Sequence, residues 1–322
     1  MRRHLKLAAV LLALALAAAA CGKSNDNNKS SASGSGGTTG STVPSGPEIK
    51  IGAQNFGESA ILAEIYKGAL ESAGYKASVQ KLSGFRDILF GAFKSGDVNL
   101  APDYVASQLE FLNGNKGEAT GQVDPTFAKL QPLLKAKSLV GLTPSDAVDT
   151  NAFVVLKKNS DSWGITTLSD LAKSGSDKKL GAPQDCETNG FCIPGLKRVY
   201  NLDLSKNFTP LDFGVIPQSL DKGAIDVGVV SSTDGRLADP KTGWVLLQDD
   251  KHMLAADNIF PTVSQKLVDA YGKNFTDLLD SISKQLNTDD MVEMNKKFDV
   301  DKEDASTIAQ TWLKQNDFVN KN

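Results

Sequence analysis

From Glu48 onward the hydrophobic positions switch between two spacings. Ile49, Ile51 and Ala53 alternate with Lys50 and Gly52, the period of a strand. The next stretch places Ile61, Leu62, Ile65, Ala69 and Leu70 at helical spacing until Gly74 ends the run. The exchange recurs. Residues 75–82 predict a second strand, 85–96 a second helix closing at Gly96, 98–104 a third strand and 107–114 a helix behind it. A second set begins with the strand 152–158 and continues through 167–172, 178–183, 193–201, 219–223 and the apolar strand 224–231. Strands that alternate with helices argue for parallel α/β sheets with crossover connections. The end differs: after Asn258-Ile259-Phe260-Pro261 the segments 263–272, 275–286, 289–298 and 303–316 all read as helices. Two α/β units with a helical return predict two lobes joined by more than one strand crossing.

The N-terminus follows another pattern. Arg2, Arg3 and Lys6 precede an unbroken apolar run from Leu7 to Ala20, which ends in Ala18-Ala19-Ala20-Cys21-Gly22. A basic start, a short apolar core and small residues before a break describe a secretory signal peptide over residues 1–20. The run is shorter than the roughly 20 residues a membrane span needs. Cysteine directly after the small residues resembles a bacterial lipobox, which implies cleavage before Cys21 and its lipidation, although Ala18 stands where that motif usually has Leu. A plain signal peptide with an incidental cysteine is the alternative. Residues 22–47 are Gly, Ser, Asn and Thr with almost no apolar side chain, so they are expected to form a tether that cannot bury enough surface to order itself. This predicts an exported protein anchored by lipid to the outer face of the cell membrane.

Composition then excludes whole classes of function. The 35 basic and 38 acidic residues of the chain give a net charge of −3. Loss of residues 1–20 leaves 32 basic and 38 acidic residues, a balance of −6, so no nucleic-acid partner is expected. Two histidines and three cysteines offer little for a metal or redox centre, and neither metal nor cofactor is expected. Cys186 and Cys192 bracket Thr188-Asn189-Gly190, and in an exported protein such a close pair reads as a disulfide, with two reduced thiols as the alternative.

The segments IKIGAQNFGESAILAEIYKGALESAGY, FKSGDVNLAPDY, GLKRVYNL, SLDKGAIDVGVVSSTDGRL and LLQDDKHM, with FPTV after them, occur in that order between Glu48 and Phe318. In sequence and spacing they resemble the substrate-binding components of ABC importers for glycine betaine, choline, carnitine and related osmoprotectants. The resemblance implies the two-lobed type II periplasmic binding-protein fold, an α/β architecture that closes around a ligand. Lobe 1 would comprise 48–149 with 258–322, and lobe 2 would comprise 150–257. It also implies a small-molecule solute, a membrane permease as partner, and a monomer that performs no chemistry.

Ligands of such sheets sit at the carboxyl ends of strands, where helix N-termini present unpaired N–H groups. That rule selects Gln54, Phe56 and Glu58 after the first strand, Ser83 and Phe85 after the second, and Asp103 and Tyr104 after the third. In lobe 2 it selects Thr188, Asn189, Ser231 and Ser232, and at the crossings Asn151, Asp257 and Asn258. Each has a simpler reading: Ser83 and Asp103 as helix caps, Glu58 as an answer to a helix dipole, Phe56 and Phe85 as staples or core. The family's aromatic box for quaternary ammonium groups holds its ligand by cation–π attraction, and at the matching positions this chain has Asn151, Ser231 and Asp257. Tyr104 alone is retained. Hydroxyls, amides and carboxylates suit a ligand rich in hydroxyl or N–H groups, which points away from glycine betaine toward a polyol, sugar-like or phenolic solute. Phe56, Phe85 and Phe191 are the side chains that would restore an aromatic site. Enzymatic readings find no support: His252 is the one histidine left after signal removal, and neither a nucleophile elbow nor a metalloprotease motif is present. A sensing lipoprotein is the remaining alternative.

Overall fold

A computed structural model describes residues 45–320 of the chain. The predicted signal peptide, Cys21 and the tether up to residue 44 lie outside the described residues. The first run of elements is β1 (Ile49–Ala53), α1 (Gly57–Ser72), β2 (Ala77–Lys81), α2 (Arg86–Ser95), β3 (Leu100–Tyr104), α3 (Val105–Asn113), α4 (Val123–Lys135) and β4 (Leu139–Gly141). The second run is β5 (Asn151–Leu156), α5 (Lys157–Trp163), α6 (Leu168–Ser174), β6 (Leu180–Ala182), α7 (Ile193–Tyr200), β7 (Phe208–Pro210), α8 (Ile216–Asp221), β8 (Val227–Ser231) and β9 (Trp244–Leu246). The return comprises β10 (Ile259–Ser264), α9 (Gln265–Gln285), α10 (Thr288–Asp299) and α11 (Ala305–Gln315), with α9 bent at Gly272.

Two five-stranded sheets result, ordered β2-β1-β3-β10-β4 and β7-β6-β8-β5-β9. We call the sheets with their helices lobe 1 and lobe 2. Each sheet is mixed rather than parallel. β1, β2 and β3 run together, as do β6, β7 and β8, but β10 is antiparallel to β3 and β4, and β5 to β8 and β9. The reason is the route of the chain: β5 and β10 each enter their sheet from the other lobe, so no crossover helix sets their direction.

The central strands are buried on both faces and read as continuous apolar runs. In β5, Phe153 and Val155 enter one core with Leu168, Leu180 and Leu196, while Ala152 and Val154 on the opposite face meet Ile216 and Leu220. In β10, Ile259 and Val263 join the α1, α9 and α11 side of lobe 1, and Phe260 packs beneath α3 and α4. The helical stripe read from α1 is the stripe that is buried, with Ile61, Leu62, Ile65 and Leu70 at 0–1% exposure. The helix at 157–163 was hidden from the sequence by Lys157 and Lys158, which continue a strand-like run but turn at once into α5.

The two crossings run side by side. Val148 bridges Asn258, the Asp149 N–H donates to the Asp257 carbonyl at 3.0 Å, and the Asn258 side chain donates to the Ser145 carbonyl at 2.8 Å. A third contact joins the lobes where the turn Gly235–Leu237 rests on α10. A Cβ at Gly235 would lie 2.2 Å from the Lys296 backbone nitrogen, so only glycine admits this approach.

Candidate functional site

A cleft of about 860 Å³ opens between the lobes. Lobe 1 contributes Arg86 at the start of α2 and Ser107, Glu110 and Phe111 from α3. From lobe 2 come Thr150 and Asn151 at the mouth of β5, Asp185, Thr188, Asn189 and Phe191 from the loop after β6, and Arg198 from α7. Asp257, on the second crossing, closes the base. The loop after β6 is held by the Cys186–Cys192 disulfide, whose Cα atoms are 5.1 Å apart. Phe191 also packs against the apolar cluster that holds Val105, Ala106 and Leu109 together with Ala255.

Several charges in and under this cleft are already paired. Asp103 is fully buried and accepts both Arg86 Nε at 2.9 Å and Nη2 at 2.7 Å, with Gln108 Nε2 at 2.6 Å on its other oxygen. Burial opposes the Arg86 charge, but the adjacent Asp103 carboxylate outweighs it and holds the guanidinium charged. Asp257 accepts the Ser107 N–H and Oγ, each at 2.7 Å, which fixes the first turn of α3 to the second crossing. Its carboxyl is raised by burial, and those bonds oppose the rise.

Behind the cleft lies a buried acid network. Tyr104 Oη donates to Glu58 Oε1 at 2.6 Å, and Asn295 Nδ2 donates both to Glu58 Oε2 at 2.7 Å and to the Thr233 carbonyl at 2.9 Å. Ser231 Oγ donates to Asp149 and lies 2.8 Å from Thr233 Oγ1. The Glu58 and Asp149 carboxyls face each other across this group. Burial raises both above the ordinary carboxylate range, and for Asp149 the neighbouring Glu58 adds to the rise. Each carboxyl therefore favours its neutral form more than an exposed carboxyl does. Burial likewise drives the Tyr104 hydroxyl well above its ordinary value, so it stays a donor to Glu58.

The residues selected from strand ends thus fall into four places. Asn151, Thr188, Asn189 and Asp257 line the interlobe cleft. Glu58, Tyr104 and Ser231 belong to the acid network behind it. Asp103, Ser232 and Asn258 are spent on the frame: Ser232 Oγ accepts the Thr150 N–H and donates to the Val148 carbonyl, both at 2.9 Å. Gln54 and Phe56 line a separate groove of about 500 Å³ on lobe 1, with Ser83 and Phe85 exposed beside it. Phe56 stacks between Phe85 and Tyr104, with ring centroids 6.3 Å from each.

Ser107, Glu110, Phe111, Arg198 and Asn295 were not selected from the sequence. Strand ends cannot point to a helix face, which explains the first four. Asn295 had a legible signal: it occupies a buried position among Met291, Met294 and Phe298, an amide on an apolar stripe of α10.

Comparisons with known proteins place this geometry. Residues 47–315 match the model of the substrate binding domain of the ABC-type glycine betaine transport system. A glycine-betaine-binding protein of Pseudomonas aeruginosa is 25% identical over 279 residues, which covers 83% of this chain and 87% of the relative. The carnitine transport binding protein OpuCC of Listeria monocytogenes is 27% identical over 281 residues, covering 84% and 87%. Among solved structures, apo YehZ of Escherichia coli superposes with a TM-score of 0.72 at 22% identity, over 85% of this chain and all of the other. A glycine betaine/carnitine/choline ABC transporter structure gives 0.74 at 23% identity over the same shares. The two mixed sheets and the cleft between them are the type II periplasmic binding-protein fold. With a family model spanning most of its length, the chain belongs to the family of substrate-binding domains of ABC-type glycine betaine transport systems.

Proposed function

We propose that this protein captures a zwitterionic quaternary ammonium solute of the glycine betaine and carnitine class between its lobes and hands it to a membrane permease. The observation that carries the reading is a cleft walled by both lobes in a chain whose family match runs through both. Phe111 and Phe191 supply aromatic faces for the methylated ammonium, with Glu110, Asp185 and Asp257 adding negative potential around it. Arg198, Thr188 and Asn189 offer donors to a carboxylate. The hydroxyl and amide groups of Thr150, Asn151, Thr188 and Asn189 favour a member of the class that carries a hydroxyl, as carnitine does, over glycine betaine, which has none. This supersedes the polyol or phenolic expectation, because Phe111 and Phe191 provide rings at positions the aligned aromatic box does not use.

Binding proceeds without chemistry: the lobes close by hinge motion about the paired crossings, and contacts from both sides stabilise the closed form. Lobe 1 is assigned to 48–149 with 258–322 and lobe 2 to 150–257. The exported protein works as a lipid-anchored monomer, tethered through Cys21 and residues 22–47. Titration calorimetry with carnitine, glycine betaine, choline and sorbitol tests the reading. Carnitine is expected to bind most tightly, and Phe191→Ala to weaken it roughly tenfold, the scale of one desolvated cation–π contact with its packing. Binding of sorbitol but of no ammonium solute would sink the assignment.

A further inference from the structure

An asparagine before glycine is open to attack by its own backbone, because glycine puts no Cβ in the path of its nitrogen. The chain holds two such pairs, Asn113-Gly114 and Asn189-Gly190. The fold treats them oppositely. Asn113 is the last residue of α3, and Gly114 caps that helix in the left-handed region at a φ of 79°. The Gly114 N–H donates to the Glu110 carbonyl, so its nitrogen is committed to the helix end. The Asn113 side chain is held as well, accepting the Lys116 N–H on Oδ1 at 3.1 Å and donating from Nδ2 to Glu118 at 3.0 Å.

Asn189 stands at the first position of a turn in which the Cys192 N–H donates to its carbonyl at 3.0 Å, and the Cys186–Cys192 disulfide holds that turn closed. Its Oδ1 accepts the Phe191 N–H at 2.9 Å, a bond that spans the Gly190 peptide and keeps the side-chain carbonyl alongside it. Gly190 is exposed, its N–H donates to no group among the described residues, and a Cβ on it would meet nothing within 4 Å. A backbone nitrogen without an acceptor thus adjoins an amide whose oxygen already has a donor.

We propose that Asn189 is a self-modification site that converts to aspartate and isoaspartate, and that the conversion turns the cleft from carboxylate-bearing solutes toward purely cationic ones. The Gly190 nitrogen gives its proton to solvent hydroxide and bonds to Cγ, and the negative charge passes to Oδ1, where the Phe191 N–H meets it. As the carbonyl re-forms, the Cγ–Nδ2 bond breaks, and Nδ2 takes a proton from water and leaves as ammonia. The five-membered imide then adds one water and opens at either carbonyl. Nothing is oxidised or reduced: asparagine and water give aspartate or isoaspartate and ammonia.

The change of selectivity rests on the solute reading above. Asn189 offers an amide donor in a cleft that already holds Glu110, Asp185 and Asp257. The product has a negative charge there and no side-chain N–H. A solute carboxylate loses a donor and meets a like charge, whereas a methylated ammonium gains an opposite one.

The test is peptide mapping by mass spectrometry of the whole protein after prolonged incubation in mildly alkaline buffer, reading the exchange of NH2 for OH at each asparagine, followed by calorimetry. In the folded protein, conversion is expected at Asn189 and to be about tenfold or more slower at Asn113, where the helix end must first open. Unfolded in urea with a reductant, the two sites convert at similar rates, because only the fold distinguishes them. Gly190→Ala, which the turn admits, slows conversion at Asn189 about tenfold by placing a methyl beside the attacking nitrogen. Asn189→Asp lowers carnitine affinity about tenfold while choline affinity holds or rises. An Asn189 that persists in the folded protein while the unfolded chain converts, equal conversion at Asn113, or conversion untouched by Gly190→Ala overturns the proposal. A carnitine-to-choline ratio unchanged in both the converted protein and Asn189→Asp overturns the change of selectivity. Fresh protein that binds no ammonium solute refutes the solute reading instead, and the peptide map, made with no solute present, still decides the modification.

Discussion

Asp149→Asn tests the acid network most directly. The Asp149 carboxyl faces Glu58 and is held well above its ordinary 3.8, chiefly by burial and then by that neighbour. A buried carboxylate left without a compensating cation costs about 3–5 kcal/mol. Asp149 keeps partial exposure, so roughly half of that, about 2 kcal/mol, is the working figure. The sign follows from linkage. An acid whose folded value is raised binds more protons folded than unfolded, so the stability it allows is full below the ordinary value. That stability is lost as pH rises through the folded value. An asparagine amide donates to Glu58 and accepts from Ser231 without a proton to lose. Urea unfolding between pH 4 and 8 should therefore show the variant about 2 kcal/mol more stable than the parent at pH 7.5, with the gap closing toward pH 4. The difference between the two curves isolates the network from Asp203 and Asp304, whose carboxyls are lowered by hydrogen bonds, that of Asp304 to about 2, and titrate below this window. A variant less stable at every pH, or a gap that widens on acidification, refutes the reasoning.

Three further outcomes are expected. Arg86→Leu leaves Asp103 buried without the two N–H donors that converge on its Oδ1 and should cost about 3 kcal/mol in chemical denaturation, while Arg86→Lys, which keeps one charge contact, costs less. Gly235→Ala drives a Cβ into the backbone of Asn295 and Lys296; about 1–3 kcal/mol of stability is lost, and small-angle scattering should show the lobes displaced. Replacing Cys186 and Cys192 together by Ser opens a short loop and lowers stability by about 2 kcal/mol. Because that loop carries Thr188 and Asn189 into the cleft, calorimetry should register weaker solute binding as well.

How the site was legible depends on distance along the chain. Tyr104, Glu58 and Ser231 could be found because each sits at the end of a strand or the start of a helix, where local spacing announces it. The role each one takes could not. Asp103 follows the third strand as a ligand residue would, yet it is spent on Arg86, seventeen residues earlier. Gln54 and Phe56 end the first strand but turn toward α10 and α11 rather than the cleft, because Phe298 closes over Gly57.

The periodic spacing of apolar residues by itself determined most of the strands and helices, the two-unit plan and the residues at the strand ends, but not α4, β4, α5, β7 or β9. It did so because burial on one face or both is a local property of the pattern. Only the tertiary structure decided which polar groups meet. Glu58 and Asn295 are 237 residues apart, and Ser107 and Asp257 are 150 apart. The direction of β5 and β10, set by chain crossings between lobes, was beyond the pattern for the same reason. Hydrogen bonds depend on distances of a few ångströms, and those distances exist only once both sheets and both crossings are in place.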